Sequence, residues 1–358
     1  MPNVAGRAMA DPPTPWRITY ELSTKSDVSV NPDRLFHGPA AVVAPNGDWL
    51  VCYQDSEDHD GHDGVIGQVR SSDKGKTWTS DGIVFDQRGE KQKYFGRNPS
   101  YAVTSDGRIV LVVQRYFPIP PGEVSLIHGS VCLISRDNGK TYEYHGLVDP
   151  EVPLRHQGTT SKILRSESGL MMAAVSISAP PTGISLYTTE DPEKGWRFAG
   201  WIFRADQLPV KYFSYGSLAR RSDGSLLAQC VYYRRNFQSV SEDNGRTWSD
   251  PIELQDLRVR NDSDLDYAGD VLVAHGRGDA DHCVDVYFSP DEGRSWGRRM
   301  VLDQHGYRGG GGYSASLRTR QGDLFIVFST DAGPNTGQRG GKPDIRGVFL
   351  SDVEIRRQ

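Results

Sequence analysis

The stretch Ser71-Ser72-Asp73-Lys74-Gly75-Lys76-Thr77-Trp78 decides the fold, because close copies of it recur along the chain. The shared pattern is S-x-D-x-G-x-[ST]-[WY], repeated at 135–142 (SRDNGKTY), 241–248 (SEDNGRTW) and 289–296 (SPDEGRSW). A degenerate fifth copy, 189–196 (TEDPEKGW), keeps Asp191 and Trp196 at the same offsets. We call these octapeptides the boxes. A motif that returns about every 50 to 65 residues indicates a repeated supersecondary unit.

Each box carries the side chains of a turn-closing motif. Asp and Ser oxygens accept hydrogen bonds from nearby backbone amides, and the glycine permits a positive φ. The following Thr-Trp pair predicts the start of a strand whose indole packs back on the turn. We therefore interpret the box aspartates as structural rather than catalytic; they are Asp73, Asp137, Asp243 and Asp291.

Short apolar runs joined by Asn-Gly or Asp-Gly flank the boxes, such as 40–44 and 49–53 on either side of Asn46-Gly47. Such dipeptides between apolar runs are strong hairpin signals. Repeated four-stranded antiparallel units predict an all-β fold, a six-bladed β-propeller. The inner strands of the six blades are expected to begin near His37, Arg97, His156, Tyr215, Tyr267 and Tyr313.

The N-terminal run Trp16–Leu22 is a spare strand in this scheme. We expect it to join the sheet of the last blade, which also holds 347–353, and to close the ring, which removes an exposed strand edge. A repeat ring is one domain whatever its length, so a single domain is predicted over 1–358, with 1–15 as a flexible N-terminal extension.

Composition and charge exclude some classes of function. A net charge of −5 and a pI near 6.0 argue against a nucleic-acid scaffold. No apolar run approaches the roughly 18 residues that span a bilayer. The cysteines are expected to be buried free thiols in a reducing compartment; they are Cys52, Cys132, Cys230 and Cys283. With no apolar signal segment at the N-terminus, a cytoplasmic location is favoured, and a secreted one follows only if the N-terminus was trimmed.

The boxes resemble the Asp-box, or BNR, repeats of the sialidase (neuraminidase) superfamily, and the resemblance covers residues 34 to 353. Six blades is also the count that this family uses. In the family the boxes lie at the periphery, far from the active site, and they also occur in non-hydrolytic propellers. The resemblance therefore directs the search for chemistry to the mouth, the end of the ring at which the inner strands begin.

Polar, aromatic and charged residues stand at the predicted strand starts, as expected of a site built on a rigid scaffold. The stretch from Tyr313 resembles the family's tyrosine strand, which implies a nucleophile. Asp60 stands where the family carries its acid/base, and Arg277 resembles the arginine of the fifth blade. The remaining substrate-binding candidates come from their positions; they are Arg97, Arg155, His156, Tyr215 and Asp266.

The sequence also departs from the family pattern. His37-Gly38-Pro39 replaces the family's Arg-Ile-Pro, and Tyr215 stands near the position of the fourth-blade glutamate. A histidine cannot bind a carboxylate bidentately as an arginine does, so the three-arginine clamp of a strict sialidase is not intact. His37 instead suits general acid/base catalysis, because its ordinary pKa is about 6.5.

Three functions stay open at this point. The first is a sialidase-like exo-glycosidase acting on a terminal acidic or deoxy sugar. The second is a polysaccharide lyase cleaving a uronate-containing glycan such as a rhamnosyl-glucuronate, with His37 and Tyr313 moving protons while arginine neutralises the carboxylate. The third is a non-catalytic glycan-binding propeller. We expect a glycan partner, neither nucleic acid nor membrane, and no cofactor or metal apart from weak calcium binding by the loop Asp58–Asp63.

Overall fold

The computed structural model describes residues 16–57, 63–90, 94–116, 127–149, 156–158, 162–177, 181–207, 210, 214–232, 234–278, 283–304, 312–330 and 342–357. Within these ranges the chain forms six antiparallel sheets and two single-turn 3₁₀ helices, Pro192–Lys194 and Ala205–Gln207. None of the described helices has the length and apolar character that a membrane-spanning helix needs. The prediction of a six-bladed β-propeller is confirmed.

The strands follow the blades in chain order after an N-terminal pair, β1 (Trp16–Leu22) and β2 (Ser26–Ser29). Blade 1 holds β3 (Leu35–Val43), β4 (Trp49–Ser56), β5 (Val65–Ser71) and β6 (Thr79–Phe85). Blade 2 holds β7 (Phe95–Val103), β8 (Ile109–Tyr116), β9 (Ile127–Ser135) and β10 (Glu143–Leu147). Blade 3 holds β11 (His156–Gly158), β12 (Leu164–Arg165), β13 (Met171–Ile177), β14 (Gly183–Thr189) and β15 (Arg197–Arg204).

Blade 4 holds β16 (Ser214–Arg220), β17 (Leu226–Tyr232), β18 (Arg235–Ser241) and β19 (Ile252–Leu254). Blade 5 holds β20 (Val259–Ala268), β21 (Val271–Gly278), β22 (Cys283–Ser289) and β23 (Gly297–Gln304). Blade 6 holds β24 (Ser314–Arg318), β25 (Leu324–Thr330) and β26 (Asp344–Arg357), together with β1 and β2. In each blade the first strand lines the central channel.

Strand β1 closes the ring by pairing with β26, from Trp16 opposite Arg357 to Leu22 opposite Leu350. Residues 347–353 lie inside β26, so the prediction that they share a sheet with Trp16–Leu22 is confirmed. Strand β2 pairs with the first half of the same long strand, with Ser26 opposite Gly347. The N-terminal part of the chain therefore supplies two strands to the last blade rather than one.

One predicted strand start was wrong. Strand β20 begins at Val259, so Tyr267 is its last but one residue and lies far from the mouth. The polar run 260–264 precedes the expected start at Tyr267, yet it belongs to the strand. The Tyr267 hydroxyl faces Glu292 of the fourth box, at the opposite end of the blade.

The boxes form the turns that their sequence predicts. In the first box, Asp73 Oδ1 accepts from the Thr77 amide at 2.9 Å and Oδ2 accepts from the Thr77 hydroxyl at 2.6 Å. These hydrogen bonds lower the pKa of Asp73 to about 2. Bonds from the residue four positions on recur at the other three box aspartates, Asp137, Asp243 and Asp291. The box aspartates are engaged in holding their own turns.

The blades pack on one another through apolar faces. Between blades 1 and 2, Leu50 and Ile66 meet Ile109 and Leu111, all fully buried. The glycine of the second box, Gly139, packs against the same apolar contact. Its φ is +78°, and a Cβ at this position would lie 2.5 Å from Leu50 Cδ1. All four cysteines are buried thiols that form no disulfide, as predicted.

Candidate active site

The inner strands of four blades share a bulge at the mouth. The ladder between first and second strand skips two residues in each, at 38–39, 98–99, 215–216 and 262–263. Bulges re-aim the side chains beside them and often border active sites. The first bulge residue has a positive φ in three blades: Gly38 (+58°), Asn98 (+42°) and Tyr215 (+58°). For a bulky residue such as Tyr215 this conformation is unusual, and such strain concentrates at functional sites.

Two aromatic rings meet at the mouth across the seam of the ring. His37 lies on β3 just before its bulge, and Tyr313 immediately precedes β24. Their ring centroids are 5.4 Å apart with an interplanar angle of 43°. His37 is 1% exposed and Tyr313 is 8% exposed. A buried imidazole thus lies against a nearly buried phenol.

Blade 2 contributes a fixed guanidinium beside this pair. Arg97 Nε donates to Gln54 Oε1 at 3.1 Å, and Gln54 is the residue opposite His37 in the β3–β4 ladder. The Arg97 guanidinium also lies 5.3 Å from the centroid of the Tyr116 ring. The next residue, Asn98, donates to Gln114 Oε1 at 2.6 Å. Because it is held from two sides, Arg97 is suited to meet an anionic group in a defined orientation.

A cavity of about 230 Å³, including the space that opens to solvent, lies within the channel beneath these residues. Its lining residues lie on four inner strands, β3, β7, β20 and β24, and include one residue from blade 3; they are Pro39, Ala40, Ala41, Pro99, Tyr101, Lys162, Asp264, Ala315 and Ser316. Among these residues, Lys162, Asp264 and Ser316 contribute charged or polar side chains.

Three charged residues, Lys162, Asp264 and Asp266, interact with one another at the bottom of the cavity, which we call the floor. Burial raises the pKa of Asp264 to about 6, although Lys162 opposes the shift. Lys162 bonds Asp266, and although burial acts the other way, Asp266 and Asp264 hold the pKa of Lys162 above its ordinary value. Near neutral pH the floor therefore keeps its ammonium group charged and holds one carboxyl that can take up a proton.

The structure brings some predicted site residues together and separates others. His37, Arg97 and Tyr313 lie at the mouth, and Tyr215 occupies the equivalent bulge of blade 4. Arg277 on β21 is 8% exposed, and it is opposite Asn261, the residue that precedes the bulge of blade 5.

Asp266 was expected at the mouth and is corrected: it lies on the channel floor, bonded to Lys162, because β20 starts earlier than predicted. Asp60, Arg155 and the side chain of His156 lie outside the described residues, as does most of the predicted calcium loop Asp58–Asp63. At the end of that loop, Asp63 accepts from Arg34 at 2.7 Å.

Sequence reasoning missed Asn98, Lys162 and Asp264 as members of the site. Asn98 had a usable signal, since Arg97-Asn98-Pro99 stands at the same ladder position as His37-Gly38-Pro39. Lys162 had none, because its partner Asp266 is 104 residues away in the sequence.

Comparisons with known proteins agree with this architecture. The family model for the BNR repeat-like domain matches residues 47–326. No curated protein matches the chain in sequence. Among solved structures, a Dyadobacter fermentans protein of unknown function is similar, with a TM-score of 0.75 and 14% identity over 93% of this chain and 99% of that chain.

Two solved glycan-processing enzymes also share the fold. An alpha-L-arabinanase from Penicillium chrysogenum, complexed with arabinobiose, has a TM-score of 0.63 and 15% identity over 93% of this chain and 98% of that chain. The Hadza microbial sialidase Hz136 has a TM-score of 0.66 and 15% identity, covering 88% of this chain and 65% of that chain. At these identities the likeness establishes a common fold.

Proposed function

The chain belongs to the BNR repeat-like domain family, within the sialidase superfamily, and from this premise we propose that it is a sialidase-like glycoside hydrolase acting on a terminal acidic or deoxy sugar. The observation that carries the proposal is the contact between His37 and Tyr313 at the mouth, with their ring centroids 5.4 Å apart. The two rings come from blades 1 and 6, and Arg97 of blade 2 donates to Gln54, the residue opposite His37 in blade 1.

In this proposal Tyr313 is the nucleophile. A phenol has an ordinary pKa of about 10, so it needs a base or a positive field to act near neutral pH. We assign His37 to take the phenolic proton as the tyrosine oxygen attacks the anomeric carbon. Asp60 is assigned to protonate the departing oxygen. The Asp60 carboxylate then takes a proton from water as the water oxygen attacks the anomeric carbon. The bond to the tyrosine oxygen breaks, and His37 returns its proton to the phenolate.

Arginines account for the preference for an acidic sugar. Arg97 is oriented by Gln54 and Tyr116, so little conformational entropy is lost when it binds a carboxylate. We assign Arg277 to the same role from blade 5. With histidine at position 37, the carboxylate is held by fewer guanidinium groups than in a strict sialidase. This favours a smaller or less rigidly held acid, or a deoxy sugar.

The lyase alternative is favoured by one specific observation. The aromatic partner that faces Tyr313 is the imidazole of His37 rather than a carboxylate. An imidazole–phenol pair can remove the proton beside a uronate carboxylate and protonate the leaving oxygen. Arg97 would then neutralise the carboxylate during proton removal.

Product analysis tests the proposal. The protein is incubated with a panel of sialosides, rhamnosides and uronate oligosaccharides, and products are read by mass and by ultraviolet absorbance. Release of a terminal sugar with uptake of one water supports hydrolysis. A product that absorbs as an unsaturated uronate contradicts the hydrolase proposal and supports the lyase. Saturable binding of a glycan without any product contradicts the proposal that the protein is an enzyme.

A further inference from the structure

The strand that carries Tyr313 is attached to blade 5 by hydroxyl groups. Strand β24 begins at Ser314, directly after Tyr313. The Ser314 hydroxyl lies 2.9 Å from His275 Nδ1, on β21 of the neighbouring blade. Two residues further along, the Ser316 hydroxyl donates to Asp266 Oδ2 at 3.2 Å. Blade 6 is therefore attached to blade 5 by directional polar contacts at the strand that positions the phenol.

His275 is an unusual residue for this place. It is fully buried, and burial lowers its pKa to about 3, with Lys162 acting in the same direction. The imidazole is thus neutral throughout the working pH range. Its Nε2 has no hydrogen-bond partner among the described residues. Burying a polar nitrogen without a partner is unfavourable, so His275 is a poor choice for stability alone.

The second attachment reaches across the channel. Lys162 of blade 3 bonds Asp266 of blade 5, which in turn accepts from Ser316 of blade 6. Buried ion pairs add little net stability compared with apolar packing, but they fix geometry. Three blades are thereby connected directly beneath the mouth.

We propose that His275, through Ser314, is a positioning residue that fixes Tyr313 against His37, and that the Lys162–Asp266–Ser316 chain holds the same strand lower in the channel. The proposal rests on the function assigned to Tyr313. Apolar contacts between blades are non-directional, whereas hydrogen bonds constrain both distance and angle. A displacement of about 1 Å at a reacting group can reduce the rate about 100-fold, so a directional support at this strand has a kinetic purpose.

The kinetic test compares three variants. His275→Leu and Ser314→Ala remove the hydrogen bond, and His275→Asn keeps a side-chain amide within reach of Ser314. We expect kcat to fall about 10- to 100-fold in the first two with KM changed less than about threefold, and to recover largely in His275→Asn. The matched control is Ser135→Ala, which removes a buried serine hydroxyl from the second box and should leave kcat unchanged. Equal kcat in all variants overturns the proposal.

A second readout does not depend on catalysis. It is the NMR chemical shifts of the His37 imidazole protons, which are assigned by their loss in His37→Gln. The ring current of Tyr313 affects these shifts, so they should change in Tyr313→Leu. His275→Leu and Ser314→Ala should shift them in the same direction, and Ser135→Ala should not. Unmoved His37 signals in both variants overturn the positioning role even if kcat falls. If no glycan is turned over at all, the function assigned to Tyr313 fails while the imidazole shifts still decide whether His275 positions the ring.

Discussion

The two ends of the blades repeat themselves in different ways. At the box end, backbone and side chains both recur. The four boxes share serine, aspartate and glycine at fixed positions. The residues that precede the box glycines all have φ near +60°, and the glycines themselves have φ near +80°; the preceding residues are Lys74, Asn138, Asn244 and Glu292. At the mouth, only the backbone recurs. The same bulge is preceded by His37, Arg97, Ser214 and Asn261 in four different blades. Uniform side chains indicate a requirement of the fold, and varied side chains on a uniform backbone indicate a requirement of the chemistry.

The largest expected effect is at the mouth. Tyr313→Phe removes one hydroxyl, and we expect turnover to fall at least about 100-fold, as for the loss of a nucleophile or proton-transfer group. The thermal midpoint should stay within a few degrees of the wild type. Tyr142→Phe, which removes a hydroxyl from the second box, is the matched control and should keep full turnover. Wild-type turnover in Tyr313→Phe would contradict the assignment of chemistry to the mouth and of structure to the box end.

The channel floor should show itself in the pH dependence of stability. The pKa of Asp264 is about 6 in the folded protein against an ordinary value of 3.8. The folded state therefore keeps a proton that the unfolded state has lost between these values, and the wild type should lose stability relative to Asp264→Asn as pH rises from about 4 to about 6. Above pH 6 the difference should be constant. The expected total is on the order of 2 to 3 kcal/mol, since each pKa unit corresponds to about 1.4 kcal/mol.

Denaturant titrations of both proteins at several pH values measure this difference. A difference that is independent of pH between 4 and 7 would show that Asp264 titrates normally and that the floor is open to water.

At the box end, Gly139→Ala should affect stability and not catalysis. The new Cβ would lie 2.5 Å from Leu50 Cδ1 at a φ of +78°. We expect a loss of about 1 to 2 kcal/mol in unfolding free energy, from the left-handed backbone and the steric overlap. Gly146→Ala is a suitable control, because its φ is also positive (+97°) and a Cβ there meets nothing within 4 Å. Equal losses in the two variants would assign the effect to the backbone alone.

The smallest expected effect is that of Asp137→Ala. It removes the acceptor for the Thr141 amide and hydroxyl and should lower the unfolding free energy by about 1 kcal/mol at neutral pH. Although partial burial acts the other way, these bonds lower the pKa of Asp137 to about 2. The stabilisation is therefore present above about pH 4 and is lost as pH falls toward 2, where wild type and variant should converge. A strong loss of turnover with unchanged stability would contradict the structural role of the boxes.

The sequence allowed the repetitive part of this molecule to be predicted and much less of the rest. The turns of the boxes and the place of Trp16–Leu22 in the last blade are confirmed, because local turn chemistry and strand alternation specify them. The short polar strand Ser26–Ser29 was missed, since nothing in its composition distinguishes it from a loop. The start of blade 5 was misplaced because Asn261 and Asp264 are polar residues on a channel-lining strand.

Within the site, positions at strand starts identified His37, Arg97 and Tyr313, while their catalytic roles stay predictions. Asp60 and Arg155 also stay predictions, as they lie outside the described residues. The Lys162–Asp266 pair was beyond local reasoning, because it depends on how blades 3 and 5 face each other across the channel.

Ring closure by β1 and β2 also has a consequence for how the chain folds. Strands of blades 1 to 5 are neighbours in the sequence and can pair as they leave the ribosome, but Ser26 bonds Gly347 across 321 residues. Closing so long a loop costs about 5 kcal/mol of chain entropy by polymer scaling. Until β26 is synthesised, β1 and β2 have no strand to pair with. The apolar side chain of Ile18 is not yet buried against blade 6. Formation of this seam is expected to be the late and slow step of folding, and its opening the event that sets the lifetime of the native ring.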